Sequence, residues 1–307
     1  MAFPPSGRTD WGVIAIFSQQ LVNGIVVGGL YALVAVGFSL VFSVLRIINF
    51  SYGSIFMLGA FVGLTVLGLV GKSFLAAFLA VVVVLGFVGV LVERLVVRPL
   101  REKGAPPFLA LVSTLGASIF LQAAAEVIWG AEVRGYPILF PQQFYTVAGA
   151  RISFTEVVTL LFAIGLMVGL QAYVKWGKMG KAMRAVAQDT QAAALMGVNV
   201  NQVITFVFAV GSAMGAAGGL LTGTYYGYAQ PAMGFMVGLK GFIAAIVGGM
   251  GSVAGAGLGG FLIGMTEALG GAYISFDYKE VILFSVLLLV LLIRPSGILG
   301  HSIREKV

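Results

Sequence analysis

Long apolar runs separated by short polar stretches dominate the chain. They fall at about 12–28, 30–45, 53–70, 74–95, 108–128, 154–174, 203–225, 237–251, 253–271 and 280–293. Several approach the ~20 residues that a helix needs to cross a hydrocarbon core. The runs at 30–45 and 237–251 hold only about 15 residues and are interrupted by glycine, the pattern of short or re-entrant helices covered by protein or by a water-filled cavity. Residues 13–45 are almost unbroken. As one helix they would be roughly 50 Å long, more than a bilayer core, so the pattern predicts a turn at Gly28-Gly29. The expected fold is all-α. It is a polytopic membrane bundle of about 8–10 transmembrane segments in one domain over 1–307, with a short tail at 1–11 and a polar loop at 176–202.

Composition agrees. Apolar residues make up 60% of the chain, charged residues 9%, and the mean hydropathy is +1.05. A soluble domain carries about 25% charge, so lipid must be the solvent for most of this surface. There is no cysteine and one histidine, His301. Disulfides, thiolate chemistry and histidine-based metal sites or triads are thereby excluded, and neither a metal nor a catalytic residue is expected.

The net charge of +7 sits in short loops between the runs, which argues for topology rather than nucleic-acid binding. Arg94, Arg98, Arg101 and Lys103 form one cluster, Lys175, Lys178, Lys181 and Arg184 a second, and Arg294, Arg304 and Lys306 a third. Threading ten segments with the N-terminus inside gathers these, Arg8 and Arg46 on the cytoplasmic face. Lys72, Arg134, Arg151, Lys240 and Lys279 remain outside, thirteen basic residues against five. Both termini are then expected in the cytoplasm of a cell with an inner membrane. A faint internal echo accompanies this pattern. Segments 12–95 and 203–293 each read as span, short pair, span, with Ser51–Ser54 and Gly249–Ser252 in similar places.

Glycines at 211, 215, 219, 223 and 227 repeat every fourth residue, as do Gly251, Gly255 and Gly259. On a helix each set forms a smooth ridge that lets another backbone approach. Residues 255–260 satisfy G-x-G-x-x-G but follow no strand, so dinucleotide binding is rejected. Gly71-Lys72-Ser73 resembles the end of a P-loop, yet Val66 stands where its first glycine belongs. The chain itself therefore has no nucleotide site and binds no cofactor directly. Any ATP consumed would be hydrolysed by another subunit.

The most informative polar stretch is Gly180–Asn201. It is alanine-rich and should be helical. Asp189 is an N-cap for a short helix over 190–196, Gly197 its C′ stop, and Asn201 a cap for the next span. Ala192-Ala193-Ala194 gives that helix a small, close-packing surface suited to docking, against the plainer reading of a surface loop helix.

Residues 184–199, Arg-Ala-Val-Ala-Gln-Asp-Thr-Gln-Ala-Ala-Ala-Leu-Met-Gly-Val-Asn, resemble the coupling loop of the high-affinity branched-chain amino acid ABC permease family. Asn23-Gly24, the Gly29–Gly37 stretch around Tyr31, Ile48–Gly53 and Met57–Ala60 resemble the same family, and the similarity runs from about 20 to 295. The chain departs from the family pattern after Asn49-Phe50, where it has Ser51-Tyr52-Gly53 in place of alanine-histidine-glycine.

The resemblance implies a permease subunit of an importer for branched-chain or other neutral amino acids. It would pair with a second similar permease, dock two cytoplasmic ATPases and receive solute from a periplasmic or lipid-anchored binding protein. Arg184, Asp189, Ala192, Ala193 and Gly197 would serve the coupling. Sister families carry urea or simple sugars, and a stand-alone secondary transporter or a membrane scaffold are the rivals from other classes.

Few polar groups lie within the apolar runs. Glu267 and Lys240 are ionisable, and such groups either face a cavity or a partner or are paired and snorkelled. Asn23, Tyr31, Asn49, Ser51 and Glu267 are the candidates for lining a solute path. Gly211, Gly215, Gly219 and Gly223 are the candidates for helix packing.

Overall fold

The computed structural model describes residues 7–71, 73–147 and 149–300. His301, Arg304, Lys306, Lys72 and residues 1–6 of the expected tail lie outside these. The helices are α1 (Gly7–Leu45), α2 (Ser51–Val70), α3 (Phe74–Val92), α4 (Arg98–Glu102) and α5 (Pro107–Trp129), with a π-helical turn at Glu93–Val97 joining α3 to α4. Strands β1 (Arg134–Gly135), β2 (Phe144–Val147) and β3 (Ala150–Ser153) follow. Then come α6 (Phe154–Trp176), α7 (Lys178–Gln188), α8 (Thr190–Leu195), α9 (Val200–Tyr226), β4 (Tyr228–Ala229), α10 (Met233–Gly248), α11 (Val253–Tyr273) and α12 (Lys279–Ile293). Among the described residues seven helices are long and apolar enough to cross a membrane. The apolar α10 and α12 are shorter, at 16 and 15 residues. The small strands form a β2–β3 hairpin and a β1–β4 pair, both antiparallel.

The turn expected at Gly28-Gly29 does not exist: α1 is one helix of 39 residues. A break there would strip backbone groups of partners at membrane depth. The glycines serve a different end. A side chain on Gly28 would meet the Phe261 Cα at 2.8 Å, and one on Gly24 the Met265 Cα at 3.0 Å. A side chain on Gly264 would in turn run into the Gly28 backbone. They let α1 and α11 pack backbone to backbone. The expected separate helix at 30–45 is therefore part of α1, and the internal echo loses its first short pair. Helix α1 also begins inside the segment assigned to the tail.

One continuous α1 changes the count of crossings. Gln19, in the first half of α1, holds the backbone of Arg151: it receives the Arg151 N–H at 2.8 Å and donates to its carbonyl at 3.1 Å. The start of α1 thus lies at the hairpin end of the bundle. Its last residues lie with α7 at the other end, where Arg46 and Arg184 line one cavity. The two ends of the described chain are on opposite faces, which removes the even parity that placed both termini together.

The short run at 237–251 is, as expected, a short helix. At ~1.5 Å per residue α10 spans about 24 Å, less than the ~30 Å core. Its last carbonyls are taken by the chain's own C-terminal segment, with Ile298 N–H donating to Val247 O and Leu299 N–H to Gly248 O, both at 2.9 Å. The turn after it is pinned to α1. The Ser39 hydroxyl donates to the Ser252 carbonyl at 3.1 Å and accepts from the Gly251 N–H at 3.0 Å. Gly249 and Gly251 have φ of +109° and +95°, which only glycine adopts without strain.

The glycine ridge of α9 packs as expected. Gly211 and Gly215 face the ring of Tyr52, Gly219 faces the Phe56 carbonyl and Gly223 faces Tyr136. Gly227 leaves the ridge: at φ +76° it ends α9. In α11, Gly255 and Gly259 face α10, while Gly260 and Gly264 face α1. Gly251 is not helical. Helices α1, α2, α9, α10 and α11 thus make the interior. Helices α3, α5, α6 and α12 surround it with one face outward, where Val83, Phe120, Val127, Leu161 and Leu292 are each more than 60% exposed. Only lipid or another apolar protein surface can cover such a face.

Candidate functional site

Helix α7 folds back beneath α6. It is amphipathic and buries Gly180, Met183 and Val186. A side chain at Gly180 would run into the Val174 carbonyl, so glycine is what permits this close fold. The Arg184 guanidinium donates to the carbonyls of Val174 and Lys175, the open end of α6. A cation there complements the negative end of the helix dipole. Arg184 therefore fixes the angle between α6 and α7.

Asp189 caps α8 as expected, accepting from the N–H groups of Gln191 at 2.8 Å and Ala192 at 2.9 Å. Gly197, at φ +83°, stops the helix one residue after its Met196 C-cap. The expected alanine surface is divided: Ala193 is buried and Ala192 exposed. The apolar residues that protrude are Leu195 and Met196, 89% and 85% exposed. The cap of α9 is Asn199, which accepts from the Gln202 N–H at 3.1 Å, rather than Asn201. Helix α9 starts at Val200, so Asn201 is already inside it, where its side-chain oxygen accepts from Arg101. Beside α7 lies a cavity of about 640 Å³ whose lining includes Ser43, Arg46, Gln171, Lys175, Arg184 and Met250.

A second polar centre sits among α1, α10, α11 and α12. Lys240 Nζ lies 2.6 Å from Glu267 Oε1 and 3.4 Å from Glu280 Oε1. The Tyr31 hydroxyl donates to Glu267 Oε2 at 2.7 Å, and Lys279 Nζ approaches Glu267 at 3.7 Å. The cluster balances two ammonium groups against two carboxylates. Two of the candidates for the solute path, Tyr31 and Glu267, are brought together here.

The others are not. Asn23 accepts from Gln19 nearer the hairpin end. Asn49 and Ser51 are buried at the opposite end, where Asn49 Oδ1 accepts from the Ser51 N–H at 3.1 Å and hydroxyl at 2.6 Å at the start of α2. Their visible bonds organise the α1–α2 turn. Tyr52, where the family pattern has histidine, is fully buried. Its ring lies 5.0 Å from that of Phe38 and its tip fits between Gly37 and Gly211.

Sequence reasoning missed Lys240 as the hub of this cluster, and missed Glu93 altogether. Glu93 is fully buried and makes a two-bond pair with Arg98 at 3.0 and 2.8 Å. The available signal was a carboxylate counted within an apolar run and an arginine five residues on. Among the described residues, no group of three His, Cys, Asp or Glu side chains is placed to hold a metal.

Apolar helices facing outward, charges paired in the interior and a capped helix pair protruding at one end define a polytopic helical membrane protein. The chain belongs to the family described as branched-chain amino acid transport system / permease component, which it matches over residues 20–291. It is 39% identical to the high-affinity branched-chain amino acid transport system permease protein BraD of Pseudomonas aeruginosa, over 95% of this chain and 98% of that one. It is 38% identical to the corresponding protein LivH of Escherichia coli over the same shares. A galactose/methyl galactoside import permease of Haemophilus influenzae is 29% identical over 49% of this chain and 45% of its own. No solved structure matches the chain.

Proposed function

We propose that this chain is the membrane-spanning permease of an ATP-driven importer of branched-chain or other neutral amino acids. The face carrying α7 and α8 is cytoplasmic, because Arg46, Arg294 and the basic clusters at 94–103 and 175–184 gather there. With α1 crossing once, the start of α1 is on the outer side. Moving Arg8 outward leaves twelve basic residues inside against six outside, so the bias keeps its sign. ATP is hydrolysed by two cytoplasmic ATPase subunits. A second similar permease covers part of the exposed apolar surface, and a periplasmic or lipid-anchored binding protein presents the solute at the hairpin face.

The observation that carries this reading is α8 itself. It is capped at both ends, lies between two spans and thrusts Leu195 and Met196 into water. Exposed apolar residues on a rigid, basic-flanked element mark a contact for a partner. Replacing Leu195 and Met196 by serine should release the ATPase subunits from the purified assembly and abolish ATP-driven uptake in vesicles, with the permease still in the membrane. Retention of both ATPases by that variant would reject the docking role. Protection of α8 from a protease added at the cytoplasmic face of vesicles lacking ATPases would reject the orientation.

A further inference from the structure

The cytoplasmic end holds a polar network, built on the fully buried Glu93, that the docking role leaves unexplained. Helix α3 runs into a π-helical turn at Glu93–Val97, closed by a bond from the Arg98 N–H to the Glu93 carbonyl five residues back. Pro99 accounts for the loosening, since it has no N–H to return to Leu95 and its ring crowds that carbonyl. The turn has a consequence for the side chains. In an α-helix, residues five apart diverge by about 140° around the axis. The wider π turn brings residue 98 round to residue 93, and the Arg98 guanidinium meets the fully buried Glu93 carboxylate with two hydrogen bonds.

The pair reaches across to α9. Arg98 Nη2 donates to the Thr205 hydroxyl at 2.8 Å. That hydroxyl has one proton to give and stands 3.0 Å from Glu93 Oε2 and 2.8 Å from the Asn201 carbonyl. One turn earlier, Arg101 donates to the Asn201 side chain. Farther into the membrane, α3 and α9 touch at Gly89, where a side chain would collide with Ser212. Thr205 and Asn201 lie in the first two turns of α9, and α8 ends only a few residues before them.

We infer that the Glu93–Arg98–Thr205 network, with Arg101–Asn201, is the link by which displacement of α8 is passed from α9 to α3 and α4. These are positioning residues that act through the helices they join. The bidentate Glu93–Arg98 pair fixes the π turn that joins α3 to α4, and both Arg98 Nη2 and Glu93 Oε2 meet the Thr205 hydroxyl of α9. The network therefore makes the start of α9 and the end of α3 move as one body. The inference rests on the docking of ATPases at α8.

The test uses the whole assembly in proteoliposomes and reads solute imported per ATP hydrolysed. Thr205→Val keeps the shape of the side chain and removes the hydroxyl, Thr205→Ser restores it, and Asn201→Ala cuts the outer bond. Thr205→Val and Asn201→Ala should assemble and hydrolyse ATP while uptake per ATP falls about fivefold. Thr205→Ser should recover most of it, a rescue that a merely structural loss of yield would not produce. Wild-type uptake per ATP in both Thr205→Val and Asn201→Ala overturns the inference. If the wild-type assembly itself holds no ATPase, the docking reading fails, and this control separates the two.

Discussion

Lys240 stands between two carboxylates, Glu267 at 2.6 Å and Glu280 at 3.4 Å, with its side chain only 8% exposed. Removing one partner of a buried ion pair typically costs about 3–5 kcal/mol, because a charge is left uncompensated. Here the cost should be smaller, since each group has a second partner. After Lys240→Met, Glu267 keeps Lys279 at 3.7 Å and the Tyr31 hydroxyl at 2.7 Å. After Glu267→Gln, Lys240 keeps Glu280 at 3.4 Å. Single substitutions should therefore cost about 1–3 kcal/mol. Lys240→Met should be the worse of the two, because it takes the shared ammonium from two carboxylates. The double variant should cost less than the sum of the singles, with a coupling of ~1–2 kcal/mol, or about 5–30-fold in the unfolding equilibrium. The measurement is a double-mutant cycle on unfolding in detergent, with Lys279→Met, the partly exposed and more distant partner of Glu267, expected to cost less than either. Strict additivity of the Lys240 and Glu267 substitutions would refute the claim that this pair is an energetic unit.

Three further outcomes are expected. Gly264→Val, which drives a branched side chain into the Gly28 backbone, should abolish the folded yield, while Gly116→Ala, with open space around it, should leave yield unchanged by size-exclusion chromatography. Gly197→Val forces a β-branched residue to φ +83°, a strain of about 1–3 kcal/mol. It should loosen the end of α8 and lower uptake per ATP in reconstituted vesicles, with membrane insertion intact. Arg184→Glu puts an anion against the carbonyl end of α6, and protease sensitivity of the α6–α7 junction should rise while the membrane-embedded core stays protected.

The elements that one-dimensional pattern specifies well were legible in the sequence. Apolar run length located every described helix except the short or polar α4, α7 and α8. Asp189 and Gly197 were identifiable as the ends of α8, because capping chemistry is local. What escaped was every feature that depends on a distant neighbour. Gly28-Gly29 reads as a turn until Phe261 is placed against it. Lys240 reads equally as a group facing a cavity and as a paired or snorkelled one until Glu267, 27 positions on, is folded beside it. Glu93 and Arg98 are not neighbours on an ordinary helix, so their pairing is hidden until the π turn appears. Even the expected parity of the crossings hung on that one turn.

The same neighbours constrain how the bundle can move. A glycine ridge suggests a smooth rail on which helices slide, but the ridge of α9 is notched. Tyr52 sits against Gly211 and Gly215, the Phe56 carbonyl against Gly219 and Tyr136 against Gly223. Sliding α9 by one residue, about 1.5 Å, would bring bulkier side chains against contacts already at van der Waals distance. The α1–α11 contact is closer still, with Gly260 against the backbone of Ala32 and Gly264 against that of Gly28. Closely packed interfaces of this kind shift between discrete arrangements rather than deform continuously. The interior of α1, α2, α9, α10 and α11 therefore behaves as one body. On the proposed docking at α8, motion must carry that body and the end of α3 together against the other surrounding helices, or bend the junctions where helices end, at Gly177, Gly197 and the 249–251 turn.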